Sequence, residues 1–175
     1  MLKFYTPFSD LDAGEPVANR LPLLLLSGLF CISAACGLLF GQKVRVQMEV
    51  ARTLNQNSPV AVDVVLIYDD KLFKDLQKVT AKEWFEKREQ MIRDNPNGLL
   101  FGVWRWEVVP GQSVSSKTLY VPVKTLFIYP KARVLGGVVF ADYASPGPHR
   151  ASIAPGQDIL IRLSEKDFAV ELQNP

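Results

Sequence analysis

Residues 21–42 read LPLLLLSGLFCISAACGLLFGQ and carry no charge; directly afterwards the chain alternates, with Val44, Val46, Met48 and Val50 apolar and Lys43, Arg45, Gln47 and Glu49 polar. A run of ~20 apolar residues is long enough to span a bilayer, and an apolar core that ends in small residues is also how a secretory signal reads. Strict alternation is instead the period of a half-buried antiparallel strand. The pattern change at Gln42 therefore separates a membrane-directed segment from a folding one.

Turn-forming residues 52–59 (RTLNQNSP) lead into a β-branched run at 60–68, which predicts a pair of strands joined by a polar loop. Thr80 and Glu83 have capping-box spacing, so a helix is expected to begin there. Trp84, Phe85, Arg88, Met91 and Ile92 recur at helical spacing, and residues 94–98 (DNPNG) end the element. Trp84 and Phe85 are expected to cover one opening of a β core. Further strands are predicted near residues 99–109, 118–123, 125–129, 133–143, 158–163 and 168–172, with a turn at Pro110-Gly111 and an edge position marked by Pro122. Short strands punctuated by Pro and Gly, with one inserted helix, predict a mainly β fold, a β-sandwich.

Three regions follow: a leader at 1–20, the apolar segment at 21–42, and a single β domain at 43–175, a size that suits one core. The leader carries Asp10, Asp12 and Glu15 beside Lys3 and Arg20, unlike the short basic start of a signal; translation from Val17 would give a compact one. Ser33-Ala34-Ala35-Cys36 resembles a bacterial lipobox, which makes Cys36 the expected lipidation site and the new N-terminus. The alternative is an uncleaved helix in which Cys31 and Cys36 are small apolar residues. Both cysteines of the chain lie in this segment, so the β domain holds no disulfide.

The formal net charge is +2, which calls for no polyanionic partner; scattered Lys and Arg are expected on a solvated surface. Trp104, Trp106, Phe127 and Tyr129 alternate with apolar residues as strand core does, so nucleic-acid stacking is not expected. The glycines form no phosphate loop. The sole histidine, His149, falls in the turn Ser145-Pro146-Gly147-Pro148-His149-Arg150 and is expected in a surface loop, without the partners of a triad or a zinc site. Asp69-Asp70 and Glu83, Glu86 and Glu89 are carboxylates of the kind that bind a cation or act in pairs, but helical spacing near Lys82, Lys87 and Arg88 favours local ion pairs. No catalytic residues, metal, cofactor or small-molecule substrate are indicated.

Read in order, the segments resemble the type VI secretion lipoprotein family, the TssJ (VasD, SciN) group. The resemblance rests on the cysteine-ending signal, a first strand and Asn-containing loop, Ser58-Pro59-Val60-Ala61-Val62-Asp63-Val64-Val65-Leu66-Ile67-Tyr68, then Leu72-Phe73 and Trp84-Phe85. It continues through Pro110-Gly111 and Arg133-Val134-Leu135-Gly136-Gly137-Val138-Val139-Phe140-Ala141-Asp142-Tyr143, followed by Arg150. It implies a transthyretin-like β-sandwich with an added helix, lipid-anchored to the periplasmic face of the outer membrane. It further implies binding to a TssM-like (IcmF-like) inner-membrane protein, with TssL in the same complex. Carried over by position, the partner-binding loop is Arg52, Thr53, Leu54, Asn55, Gln56, Asn57 and Ser58, with Leu54 as an apolar anchor on display. Gly37-Leu38-Leu39-Phe40 departs from the polar tether that usually follows the lipid. The competing readings are a transthyretin-like periplasmic ligand carrier, with a pocket at Trp104, Trp106 or Phe127, and a single-pass inner-membrane protein with a periplasmic β domain.

Overall fold

The computed structural model describes residues 43–120 and 134–173. Strands β1 (Lys43–Val50), β2 (Val60–Ile67), β3 (Phe101–Val108), β4 (Val114–Tyr120), β5 (Gly136–Ala141), β6 (Arg150–Ile153), β7 (Asp158–Leu163) and β8 (Phe168–Gln173) are joined by helices α1 (Asp70–Leu76) and α2 (Ala81–Asp94) between β2 and β3. They form two four-stranded sheets, β4-β1-β7-β8 and β3-β2-β5-β6, packed face to face as a mainly β sandwich. The expected strands at 125–129, and Pro122, Phe127 and Tyr129, lie outside the described residues.

The alternation of β1 is borne out: Val44, Val46 and Met48 enter the core while Lys43, Arg45, Gln47 and Glu49 face solvent. Its pairing is mixed, antiparallel to β4 but parallel to β7. The expected strand pair is also corrected, because β1 and β2 lie in different sheets and residues 51–59 cross between them. The difference is written in burial. Strand β1 is buried on one face, whereas β2 is buried on both, with Val60, Val62, Val64 and Leu66 toward the opposing sheet and Val65 and Ile67 toward the helices.

Helix α2 begins as its capping box requires: Thr80 Oγ1 accepts from Glu83 N at 3.3 Å, and Glu83 Oε2 accepts from Thr80 N at 2.8 Å. Those bonds to Thr80 hold the Glu83 carboxyl below its ordinary range. Asn95 caps the other end, its side chain accepting from Leu99 N and donating to the Phe101 carbonyl. The single predicted helix is two, since α1 precedes α2, capped by Asp69 Oδ1 accepting from Leu72 N at 2.8 Å. With only seven residues, α1 is too short for a periodic signal.

Both helices cover the outer face of β3-β2-β5-β6 and make a second core from Val65, Ile67, Leu76, Ala81, Trp84, Phe101, Val138 and Phe140. Trp84 lies flat on Phe140 with centroids 5.0 Å apart and meets Phe101 edge-on at 6.3 Å. It therefore seals a sheet face and not, as expected, an opening of the β core. Gly136 allows the close approach of α1, because a Cβ there would stand 2.6 Å from the Phe73 ring.

Under this cover lies a charge. Asp63 is completely buried on β2, where Oδ2 accepts from Trp84 Nε1 at 2.8 Å and Arg88 Nη1 donates to both oxygens at 3.2 and 3.3 Å. Burial raises its carboxyl above the usual range, outweighing the opposite pull of the Trp84 and Arg88 donors.

Candidate interaction surface

Strand directions bring four loops to one end of the sandwich: β1–β2, β3–β4, β5–β6 and β7–β8. The chain enters β1 at Lys43, at the other end, and a strand of eight residues spans roughly 27 Å.

The β1–β2 loop is wound the uncommon way. Asn55, Gln56 and Asn57 have φ of 44°, 56° and 65°, a left-handed turn that costs L-residues ~1–2 kcal/mol each, least for Asn. Two neighbours hold it. Leu54 is 0% exposed and packs into the sandwich core. Asn55, also buried, donates from Nδ2 to the Pro59 carbonyl at 3.1 Å, accepts at Oδ1 from Ala144 N at 2.9 Å, and donates its own N–H toward Ser164 O at 3.4 Å. One asparagine thereby joins three loops.

The predicted loop residues divide accordingly: Arg52, Thr53, Gln56, Asn57 and Ser58 are exposed, while Leu54 and Asn55 are inside. The expectation that Leu54 is displayed as an apolar anchor is corrected. A leucine flanked by polar residues reads the same in sequence whether it points out or folds back, and here its methyls gain more from the core than from water. Cys36, the expected lipidation site, lies outside the described residues. The β3–β4 turn is fastened to the same platform by Gly111, whose N–H donates to Ala51 O at 3.0 Å with φ of 69°.

His149 corrects another expectation. It is 5% exposed, not a surface-loop residue, and it precedes β6, a four-residue strand not among those predicted. Its ring faces Asp167 on one side, but its other nitrogen faces the Ser145 carbonyl, where a hydrolytic triad needs a hydroxyl. Ser145 Oγ is itself turned to the Lys166 carbonyl. Among the described residues no group of three His, Cys, Asp or Glu is placed to hold a metal, and no helix is long and apolar enough to cross a membrane. Residues 21–42 lie outside them.

Elsewhere, Trp104 and Trp106 pack against the sandwich core from its edge. The Trp104 ring lies over Gly102, where a Cβ would come within 2.9 Å, and Lys117 Nζ sits 5.4 Å above Trp106. Glu89, expected in local pairs, binds Arg88 on its own helix at 3.4 Å and Arg105 of β3 at 2.8 Å. Arg150 reaches the Val79 carbonyl just before α2.

No protein-family model and no curated relative matches the sequence. The fold is similar to that of solved structures. One is the type VI secretion lipoprotein TssJ1 of Pseudomonas aeruginosa, with a TM-score of 0.54 and 14% identity over 77% of this chain and 98% of that one. Another is Serratia marcescens Lip, a membrane-bound component of the type VI secretion system, with a TM-score of 0.52 and 15% identity over 77% of this chain and 99% of that one. The sandwich with its helical cover is thus the fold of these lipoproteins.

Proposed function

We infer that this chain is a non-enzymatic structural component of a type VI secretion membrane complex, whose loop end binds a TssM-like inner-membrane protein, with TssL in the same complex. The observation that carries the reading is a fold likeness that takes in 98% and 99% of two secretion lipoproteins. The loop end adds support. Asn55 and Leu54 tie the β1–β2 loop to its neighbours through hydrogen bonds and core packing, and a preorganised surface loses less entropy on binding. Its exposed groups, Arg52, Thr53, Gln56, Asn57 and Ser58, suit a polar interface with bridging water. Lipid on Cys36 would anchor the chain to the periplasmic face of the outer membrane, with more than one acyl chain making the anchorage stable. The role is mechanical: an anchor, a stiff sandwich and a selective end.

Two measurements test this. Intact mass of the protein extracted from native membranes is expected to show a species beginning at Cys36 with acyl chains; one retaining residues 21–35 without lipid would replace the outer-membrane anchor with a membrane-spanning stem. In a pull-down, the full chain in detergent is expected to retain the periplasmic part of the TssM-like protein of the same organism. Gln56→Ala with Asn57→Gly, a pair that keeps the left-handed turn while removing both exposed side chains, should weaken that capture roughly tenfold or more with little change in stability, the scale of a modest hot spot. Absence of capture by the unaltered chain would overturn the assignment.

A further inference from the structure

The His149 ring sits between two acceptors. Nδ1 is 3.0 Å from Asp167 Oδ1 and Nε2 is 2.7 Å from Ser145 O, and an ionised carboxylate and a backbone carbonyl only accept. Neutral imidazole has one N–H and satisfies one of them, leaving a lone pair against the other oxygen. Imidazolium donates to both, and a ring only 5% exposed takes little of the missing role from solvent.

The surroundings are built to this ring. His149 has φ of 40°, and a Cβ on Gly147 would stand 2.8 Å from Cε1, so the loop closes on the imidazole at van der Waals distance. Tyr143 lies 5.2 Å away, ring to ring. The Pro148 carbonyl accepts from Ala81 N at the start of α2 at 2.8 Å. Asp167 is fixed from its own side: Oδ1 also accepts from Phe168 N at 2.9 Å, and its carbonyl accepts from Ser164 N and Oγ at 3.0 and 2.6 Å.

We propose that His149 is a proton-operated clasp between the β5–β6 and β7–β8 loops, holding both as imidazolium and releasing one contact when it loses its proton. Charges facing it from each neighbouring element favour no other reading. Asp167 is the bonded carboxylate. Lys82 of α2 and Asp142 at the start of the β5–β6 loop line the adjoining groove with opposite signs. Tyr143 presents a ring, Lys166 gives its carbonyl to Ser145, and Arg150 is turned away to Val79. Because Ala144 N bonds Asn55 Oδ1, loosening residues 143–149 also slackens the β1–β2 loop. The clasp stands whether or not that loop binds a partner.

Amide exchange of the full chain in detergent micelles tests it, at about pH 5.5 and about pH 8, with rates normalised to intrinsic exchange at each pH. Residues 143–149 and 164–168 are expected to exchange roughly tenfold faster at the higher pH, the scale of one charge-assisted hydrogen bond, while β2 and β5 hold constant. His149→Gln should abolish the difference. Asp167→Asn, on an exposed side chain, keeps an acceptor without the charge and should shrink it, so it carries the test where the histidine variant does not fold. Equal normalised exchange of the unaltered loops at both pH values, or a pH response that survives either substitution undiminished, overturns the proposal.

Discussion

Trp84 Nε1 donates to Asp63 Oδ2 at 2.8 Å, and neither side chain is exposed. The bond joins helix to sheet inside an otherwise apolar layer, so it fixes which face of α2 meets β2, a constraint that oily contacts alone supply weakly. Trp84→Phe keeps the stacking on Phe140 and removes the donor. It should cost about 2 kcal/mol in denaturant unfolding, the scale of a hydrogen bond to a charged group. Arg88→Met leaves the carboxylate without its countercharge and should cost about 3–5 kcal/mol.

The same carboxylate predicts a pH dependence. Its folded value is raised by burial, so its contribution to stability is fully present below the unfolded carboxylate range and is lost as pH climbs through the raised value. Asp63→Asn removes the titration. The stability of the unaltered protein relative to this variant should therefore fall as pH rises above the ordinary carboxylate range of about pH 4, measured as unfolding midpoints in parallel; a constant difference would contradict the raised carboxyl.

Local signals with a single physical meaning were legible in advance. The capping box at Thr80, the alternation of β1 and the bounds of β7 all read directly from residue type and spacing. What escaped depends on long-range pairing. The continuous apolar run of β2 identifies a doubly buried strand but not its sheet, and β6 carries only four residues between two turns. The site was half legible: turn-forming residues marked 52–59 as a loop, while the inward turn of Leu54 and the ties of Asn55 to Pro59 and Ala144 exist only once three loops meet.

Gly136 faces Phe73 closely enough that Gly136→Ala must displace α1, since a new Cβ would stand 2.6 Å from the ring. A loss of about 1–3 kcal/mol is expected from this overpacking, and Phe73→Leu in the same chain should recover part of it. The double-mutant cycle in chemical denaturation reads the coupling directly; strict additivity would mean that the ring does not oppose the methyl.

The β1–β2 loop separates plug from surface. Leu54→Ala opens a cavity at a fully buried site and should cost about 2–5 kcal/mol, whereas Gln56→Ala touches an exposed side chain and should stay within about 0.5 kcal/mol. Gln56→Gly goes further: at φ of 56° glycine relieves the left-handed strain, so this variant should be as stable as the parent or up to about 1 kcal/mol more so, despite the entropy glycine adds to the unfolded chain. Thermal unfolding of the three variants ranks them. If Leu54→Ala were as harmless as Gln56→Ala, the leucine would not be seated in the core and a role at the surface would return. If Gln56→Gly were the most damaging of the three, the turn would not hold its left-handed form, and the preorganisation ascribed to this end of the sandwich would go with it.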